Sequence, residues 1–87
     1  MFHLTLTAGA RLAELLTEAE APAEVAIRLR PQPGGLALRL DRRQAGDVQF
    51  THSGRAVLLL DHRVHKLLAD CRLERIDALD GLELQRA

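Results

Sequence analysis

Residues Glu24 to Asp41 read EVAIRLRPQPGGLALRLD. Val25, Ile27 and Leu29 alternate with Ala26, Arg28 and Arg30. Beyond the PQPGG break, Leu36, Leu38 and Leu40 alternate with Ala37, Arg39 and Asp41. Successive side chains of a strand point to opposite faces. Two period-two runs split by a Pro/Gly cluster therefore predict an antiparallel hairpin with one apolar and one wet face. Proline fixes φ and glycine tolerates positive φ, so PQPGG suits the reversal. The apolar face needs a cover, which the rest of the chain must supply.

Upstream, Phe2, Leu4 and Leu6 alternate with His3 and Thr5, a short strand from Phe2 to Leu6. Thr7 is expected to cap a helix, its hydroxyl accepting from a free first-turn amide. Ala8, Leu12, Leu15, Leu16 and Ala19 follow at helical spacing, with Arg11, Glu14 and Glu18 on the opposite face. Pro22 ends that helix. Downstream, Arg42 to Gly46 is a polar turn, Val48 and Phe50 mark a strand, and His52-Ser53-Gly54 is a tight turn. Ala56 to Leu60, AVLLL, is a continuous apolar run of buried-strand length. Asp61 is expected to cap a second helix carrying Val64, Leu67, Leu68 and Cys71 as its apolar stripe. A strand from Leu73 to Leu79, an Asp80-Gly81 turn and a final strand at Leu82 to Leu84 complete the chain. The order β-α-β-β-β-β-α-β-β over residues 1–87 predicts one α+β domain. Its sheet is mostly antiparallel, a small sandwich or flattened barrel with two helices.

Composition narrows the function classes. Twelve basic and twelve acidic side chains cancel, so net charge points to neither nucleic acid nor a membrane surface. Phe2 and Phe50 are the only aromatics, which leaves few platforms for base stacking. One cysteine, Cys71, excludes an internal disulfide and suits a reducing cytoplasm. No stretch nears 18 consecutive apolar residues, and the start lacks a basic segment followed by a long apolar run, so a cytoplasmic location is expected.

The order of these pieces resembles the A-type iron–sulfur carriers, the HesB/IscA-like family. LTLTAGARLAELL at Leu4 to Leu16 resembles the family's opening strand, threonine cap and helix, and GGLALRLD at Gly34 to Asp41 its Cys-Ser-Gly-Leu segment and following strand. DVQFTHSGRAVLLLD at Asp47 to Asp61 and DALDGLELQ at Asp77 to Gln85 are similar to its later strands. The resemblance implies ligation of a cluster or iron by one cysteine at the hairpin turn and two in a C-terminal Cys-Gly-Cys. Here the turn is Pro31-Gln32-Pro33-Gly34-Gly35, and the sequence closes on Leu84-Gln85-Arg86-Ala87. The expectation is a degenerate member that keeps the fold and lacks the three ligand cysteines. No ligand residue carries over, and no cofactor is implied. Clusters are held by several thiolates, and Cys71 supplies one per chain.

The remaining candidates are weaker. His62 and His65, three apart on one helix, could share a metal with Cys71 across a dimer. Against this, flanking Arg63 and Lys66 disfavour a cation, and the helical stripe makes Cys71 a buried small hydrophobe. His3 and His52 have no ligand spacing. Arg28, Arg30 and Arg39 are expected on the outer face of the hairpin, with Arg42 and Arg43 at its end. They form either a binding surface for phosphate, nucleic acid or an acidic partner, or a solvated face. Gly34-Gly35 lacks a following Lys-Ser/Thr, and no nucleophile set has recognisable spacing, so no catalytic residue and no enzymatic activity is expected. The leading expectation is a non-catalytic accessory protein acting by binding. Its partner belongs to iron–sulfur assembly or lies outside it, and a homodimer would cover an exposed sheet edge or face. The alternatives are the His62/His65/Cys71 metal binder and the arginine-face phosphate or nucleic-acid binder.

Overall fold

The computed structural model describes residues 1–76 and 81–86. The elements follow the expected order: β1 (His3–Leu4), α1 (Leu6–Glu18), β2 (Val25–Gln32), β3 (Gly35–Arg42), β4 (Val48–His52), β5 (Arg55–Leu60), α2 (His62–Leu67), β6 (Cys71–Ile76) and β7 (Gly81–Arg86). β2 and β3 pair antiparallel without a break from Val25↔Arg42 to Gln32↔Gly35. Pro33 and Gly34 form the two-residue turn, and Gly34 takes a φ of 81°, which a side chain would oppose. In such a hairpin the pair flanking the turn is hydrogen-bonded, and alternate pairs follow suit. Pro31, opposite Leu36, then falls on a non-bonded pair, where its missing N–H costs β3 nothing.

Strands form two open sheets rather than a closed barrel. One runs β3-β2-β5-β4 and the other β1-β6-β7. The β2/β5 and β1/β6 pairs are parallel; β2/β3, β4/β5 and β6/β7 are antiparallel. β5 lies inside its sheet with Val57, Leu58, Leu59 and Leu60 fully buried, which is why AVLLL is apolar at consecutive positions. Helix α1 lays Ala8, Gly9, Leu12 and Leu16 into the same core as Phe2, Ile27, Leu29, Leu58, Leu60 and Leu73. Burial of this apolar surface at about 25 cal/mol per Å² is the main term holding the layers together. Among the described residues, no helix is long and apolar enough to cross a membrane.

Four local expectations are corrected. Thr5, not Thr7, caps α1: its Oγ1 accepts from the Ala8 amide at 3.2 Å. The Thr5 hydroxyl also lies 3.1 Å from the Leu73 carbonyl and 3.0 Å from Glu74 Oε1, so contact with β6 selects between the two threonines. The first strand accordingly stops at Leu4, short of the expected Leu6. α1 closes at Glu18, with Glu20 at φ 54°, ahead of the expected stop at Pro22. α2 ends at Leu67, and Cys71 opens β6 opposite Arg86 instead of continuing the helical stripe. Strand pairing across Cys71 to Ile76 overrides the helical spacing there. Asp61 caps α2 as expected, accepting from the Val64 amide at 2.8 Å. The last part of the expected Leu73–Leu79 strand and Asp80 of the expected turn lie outside the described residues.

Candidate functional site

The hairpin tip, where the family resemblance implies a ligand cysteine, comes beside the β6–β7 hairpin. Gly34, Gly35 and Leu36 face Ile76, Leu82, Glu83 and Leu84 across a groove of about 610 Å³. Among the described residues its side chains are aliphatic apart from Glu83. A cluster or soft metal needs thiolate or imidazole donors, and this lining has neither. Cys71 does not serve the groove. It stands at the Arg86 end of the β6–β7 ladder, whereas Ile76 pairs with Gly81 at the groove end. Five residues of extended chain put the two about 17 Å apart. The Cys71 side chain packs, partly buried, against the rim of the core.

His62 and His65 part company as well. His62 is exposed, while His65 turns toward the interior with its ring 6.3 Å from Phe50, which packs in turn on Phe2 at 5.2 Å. Among the described residues no three of His, Cys, Asp and Glu gather in a metal-binding arrangement.

The arginine face splits too. Arg30 and Arg39 are exposed, but Arg28 is buried at 3% exposure. The loop after β3 folds over its guanidinium. Nη1 and Nη2 donate to the two oxygens of Asp47 at 3.0 and 2.6 Å, Nε donates to Asp41 Oδ2 at 2.7 Å, and Nη2 reaches the Arg42 carbonyl at 3.4 Å. Asp47 Oδ2 also accepts the Gln44 amide at 2.7 Å. The Arg28 hydrogen bonds hold both carboxyls below their ordinary range, helped at Asp47 by the Gln44 amide and at Asp41 by the Arg42 amide. Bonding to Asp47 in turn drives the guanidinium further from deprotonation. A buried arginine whose Nε, Nη1 and Nη2 all donate to Asp41, Asp47 or the Arg42 carbonyl is a bracket, its charge already matched by two carboxylates rather than offered to an incoming anion. Sequence reading passed over Asp47. Its only signal is an acidic residue directly after Gly46, which by itself does not name Arg28 as the partner.

A second polar knot ties the helix start to the other sheet. Glu74 Oε1 accepts from Thr7 Oγ1 at 2.7 Å, lies near the Thr5 hydroxyl and accepts the Arg75 amide at 2.9 Å. These bonds, the Thr7 one foremost, lower the pKa of its carboxyl.

The sequence matches no protein-family model and no curated protein. Solved structures do match. The crystal structure of Escherichia coli SufA, involved in biosynthesis of iron–sulfur clusters, aligns over 98% of this chain and 84% of SufA, with a TM-score of 0.63 at 22% identity. A crystal structure of IscA with the [2Fe-2S] cluster aligns over 100% of this chain and 84% of IscA, with a TM-score of 0.61 at 21% identity. Element order, the paired open sheets and these alignments agree: the chain has the HesB/IscA fold, that of the A-type iron–sulfur carriers.

Proposed function

We propose that this chain is a non-catalytic accessory protein of iron–sulfur cluster assembly, one that keeps the carrier fold and binds a protein partner without holding a cluster on these residues. The link to assembly rests on the fold shared with SufA and IscA. The observation that carries the loss of cluster binding is the hairpin-tip groove. Its lining from Gly34 to Leu36 and from Leu82 to Leu84 offers no thiolate, and the one cysteine lies at the far end of β6. A reducing cytoplasm fits the single unpaired thiol.

The test is anaerobic reconstitution with ferrous iron and sulfide, read by visible absorption and acid-labile sulfide. Colourless protein with sub-stoichiometric iron is the expected result. A stoichiometric chromophore that disappears in Cys71→Ser overturns the reading. The assembly link is tested separately by calorimetric titration against a purified cluster scaffold protein, and absence of binding at high micromolar concentration overturns that part.

A further inference from the structure

The outer face of the four-stranded sheet carries more positive charge than it neutralises. Ile27, Leu29, Leu58 and Leu60 point into the core, so alternate positions face outward: Arg28 and Arg30 on β2, Ala37, Arg39 and Asp41 on β3, Leu59 on β5 and Gln49 on β4. With the loop after β3, this face gathers Arg28, Arg30, Arg39 and Arg43 against Asp41 and Asp47. Both carboxylates close on Arg28. Arg42, at the rim, pairs with Glu24 at 3.6 Å. Arg30 and Arg39 are exposed and make no hydrogen bond or ion pair with any described residue. Arg39 and Arg43 act on Asp41 and Asp47 through charge at a distance, without a hydrogen bond. The whole chain is neutral, with twelve basic and twelve acidic side chains, so the excess here is a local segregation of charge.

Arg30 pairs with Ala37 and Arg28 with Arg39, so Arg30 and Arg39 are diagonal neighbours across the β2–β3 ladder, with the short Ala37 side chain between them. Diagonal positions of a sheet lie about 7–8 Å apart, within reach of long side chains. An extended peptide presents alternate side chains on one side about 6.5 Å apart. Two carboxylates at positions i and i+2 of such a segment therefore match the two guanidiniums, whose forks of donors are unspent within the described chain. We propose that the outer face at Arg30, Ala37 and Arg39 docks an acidic, extended segment of a partner protein. This rests on the reading of the chain as a protein-binding accessory and names the surface that binds. β2 and β3 pair without a break, so both guanidiniums stand on a preorganised floor. Arg43 adds positive potential beside them, which speeds encounter with an acidic chain. The occupant is protein rather than nucleic acid. Phe2 and Phe50 pack on each other against the core, which leaves the face without an aromatic platform for bases, and two phosphate contacts supply little affinity.

An NMR titration of the full chain at low salt tests the proposal, with a peptide of alternating glutamate and serine as the probe. Shift changes are expected at the amides of Arg30, Ala37 and Arg39 and at two arginine side-chain N–H groups, fading as salt is raised. Arg30→Gln and Arg39→Gln should each weaken binding about two- to fivefold, and the double variant should abolish it, with circular dichroism and thermal melting as folding controls. Ala37→Glu sets a carboxylate of this chain opposite Arg30 and beside Arg39, and should weaken binding as much as the double variant. Arg63→Gln removes an exposed charge from α2, which packs on the core side of the sheet through His65 and Phe50, and should leave binding unchanged. Four results overturn the proposal: no shift changes into the millimolar range, changes centred elsewhere, an equal loss in Arg63→Gln, or tighter binding of a charge-matched oligothymidylate than of the peptide. A chromophore on cluster reconstitution would overturn the proposed function and leave this surface standing, whereas a silent titration would overturn the surface alone.

Discussion

Arg28 and Asp47 meet through two parallel hydrogen bonds of 3.0 and 2.6 Å, with the Arg28 side chain 4% and the Asp47 side chain 2% exposed. A fork-to-fork pair so far from water is held by geometry as much as by charge. It fastens the loop after β3 onto the outer face of the sheet at Arg28, the residue paired with Arg39 on one side and Leu59 on the other.

Removing one partner should therefore be far worse than removing both. Asp47→Ala leaves a buried guanidinium with Asp41 as its one adjacent carboxylate, and a loss of about 3–5 kcal/mol of folding stability is expected in urea denaturation. The double variant Arg28→Met with Asp47→Leu should recover most of that loss, because well-packed apolar side chains replace an ion pair at little cost. Equal destabilisation of the single and double variants would show that the bracket contributes something other than charge compensation.

The same bracket makes stability depend on acid. The Asp47 carboxyl has a folded pKa below its ordinary value of 3.8, mainly through the Arg28 hydrogen bonds, and Asp41 is displaced in the same direction. The unfolded chain then binds protons more readily, so this stabilisation is complete above about pH 4 and is lost as pH falls through the folded values. Denaturation midpoints should stay level from neutral pH to about 5 and drop steeply below 4. Asp47→Asn should start lower at neutral pH and show a shallower acid slope.

Gly9 in α1 lies against His52 at the end of β4, where an added Cβ would meet Nδ1 at 2.9 Å and Cγ at 3.4 Å. Alanine is worth about 1 kcal/mol over glycine in a helix interior. Gly9→Ala should nonetheless lower stability by about 1–2 kcal/mol, since the His52 ring must shift to admit the methyl group. In a His52→Ala background the sign should reverse, and the coupling energy from the double-mutant cycle measures the contact.

The two threonines at the start of α1 should differ. Thr5→Ala removes the cap and the hydroxyl contacts to β6, at a cost of about 1 kcal/mol or somewhat more. Thr7→Ala loses one exposed hydrogen bond to Glu74 and should cost less. Thermal melting of the two variants side by side decides which residue is the cap.

What the sequence disclosed and what it withheld divide along a physical line. The hairpin was legible because Val25 to Leu29 and Leu36 to Leu40 each carry their pattern in consecutive residues around Pro33-Gly34. The turn at Ser53-Gly54, with φ of 51° and 82°, and the Asp61 cap were equally local. Choices made by distant parts of the chain were not. Thr5 prevails over Thr7 because Leu73 and Glu74 lie beside it. Cys71 leaves the helix because Arg86 pairs with it. Arg28 leaves the wet face because Asp47 closes over it. An alternating arginine reads as exposed in any single-chain pattern, and only the return of the loop reverses that. The candidate site was legible in one respect: the absence of cysteine from Pro31 to Gly35 is visible in the letters. The bare lining of the facing strands needed coordinates.

The parallel pairing of β1 with β6 sets an order on folding. His3 and Leu4 find Arg72 and Leu73 only after nearly seventy intervening residues have been placed. The cap of α1 is completed by that same late strand, through Thr5 and Glu74. Contacts so remote in sequence close slowly, and no leading fragment can acquire them. As the chain emerges during synthesis, the β2–β3 hairpin can form from its own residues. The first helix must wait, partly exposed, for β6 before its leading end is secured. The opening residues thus dock only where β6 is present, so a fragment that stops before β6 should leave them without a partner strand.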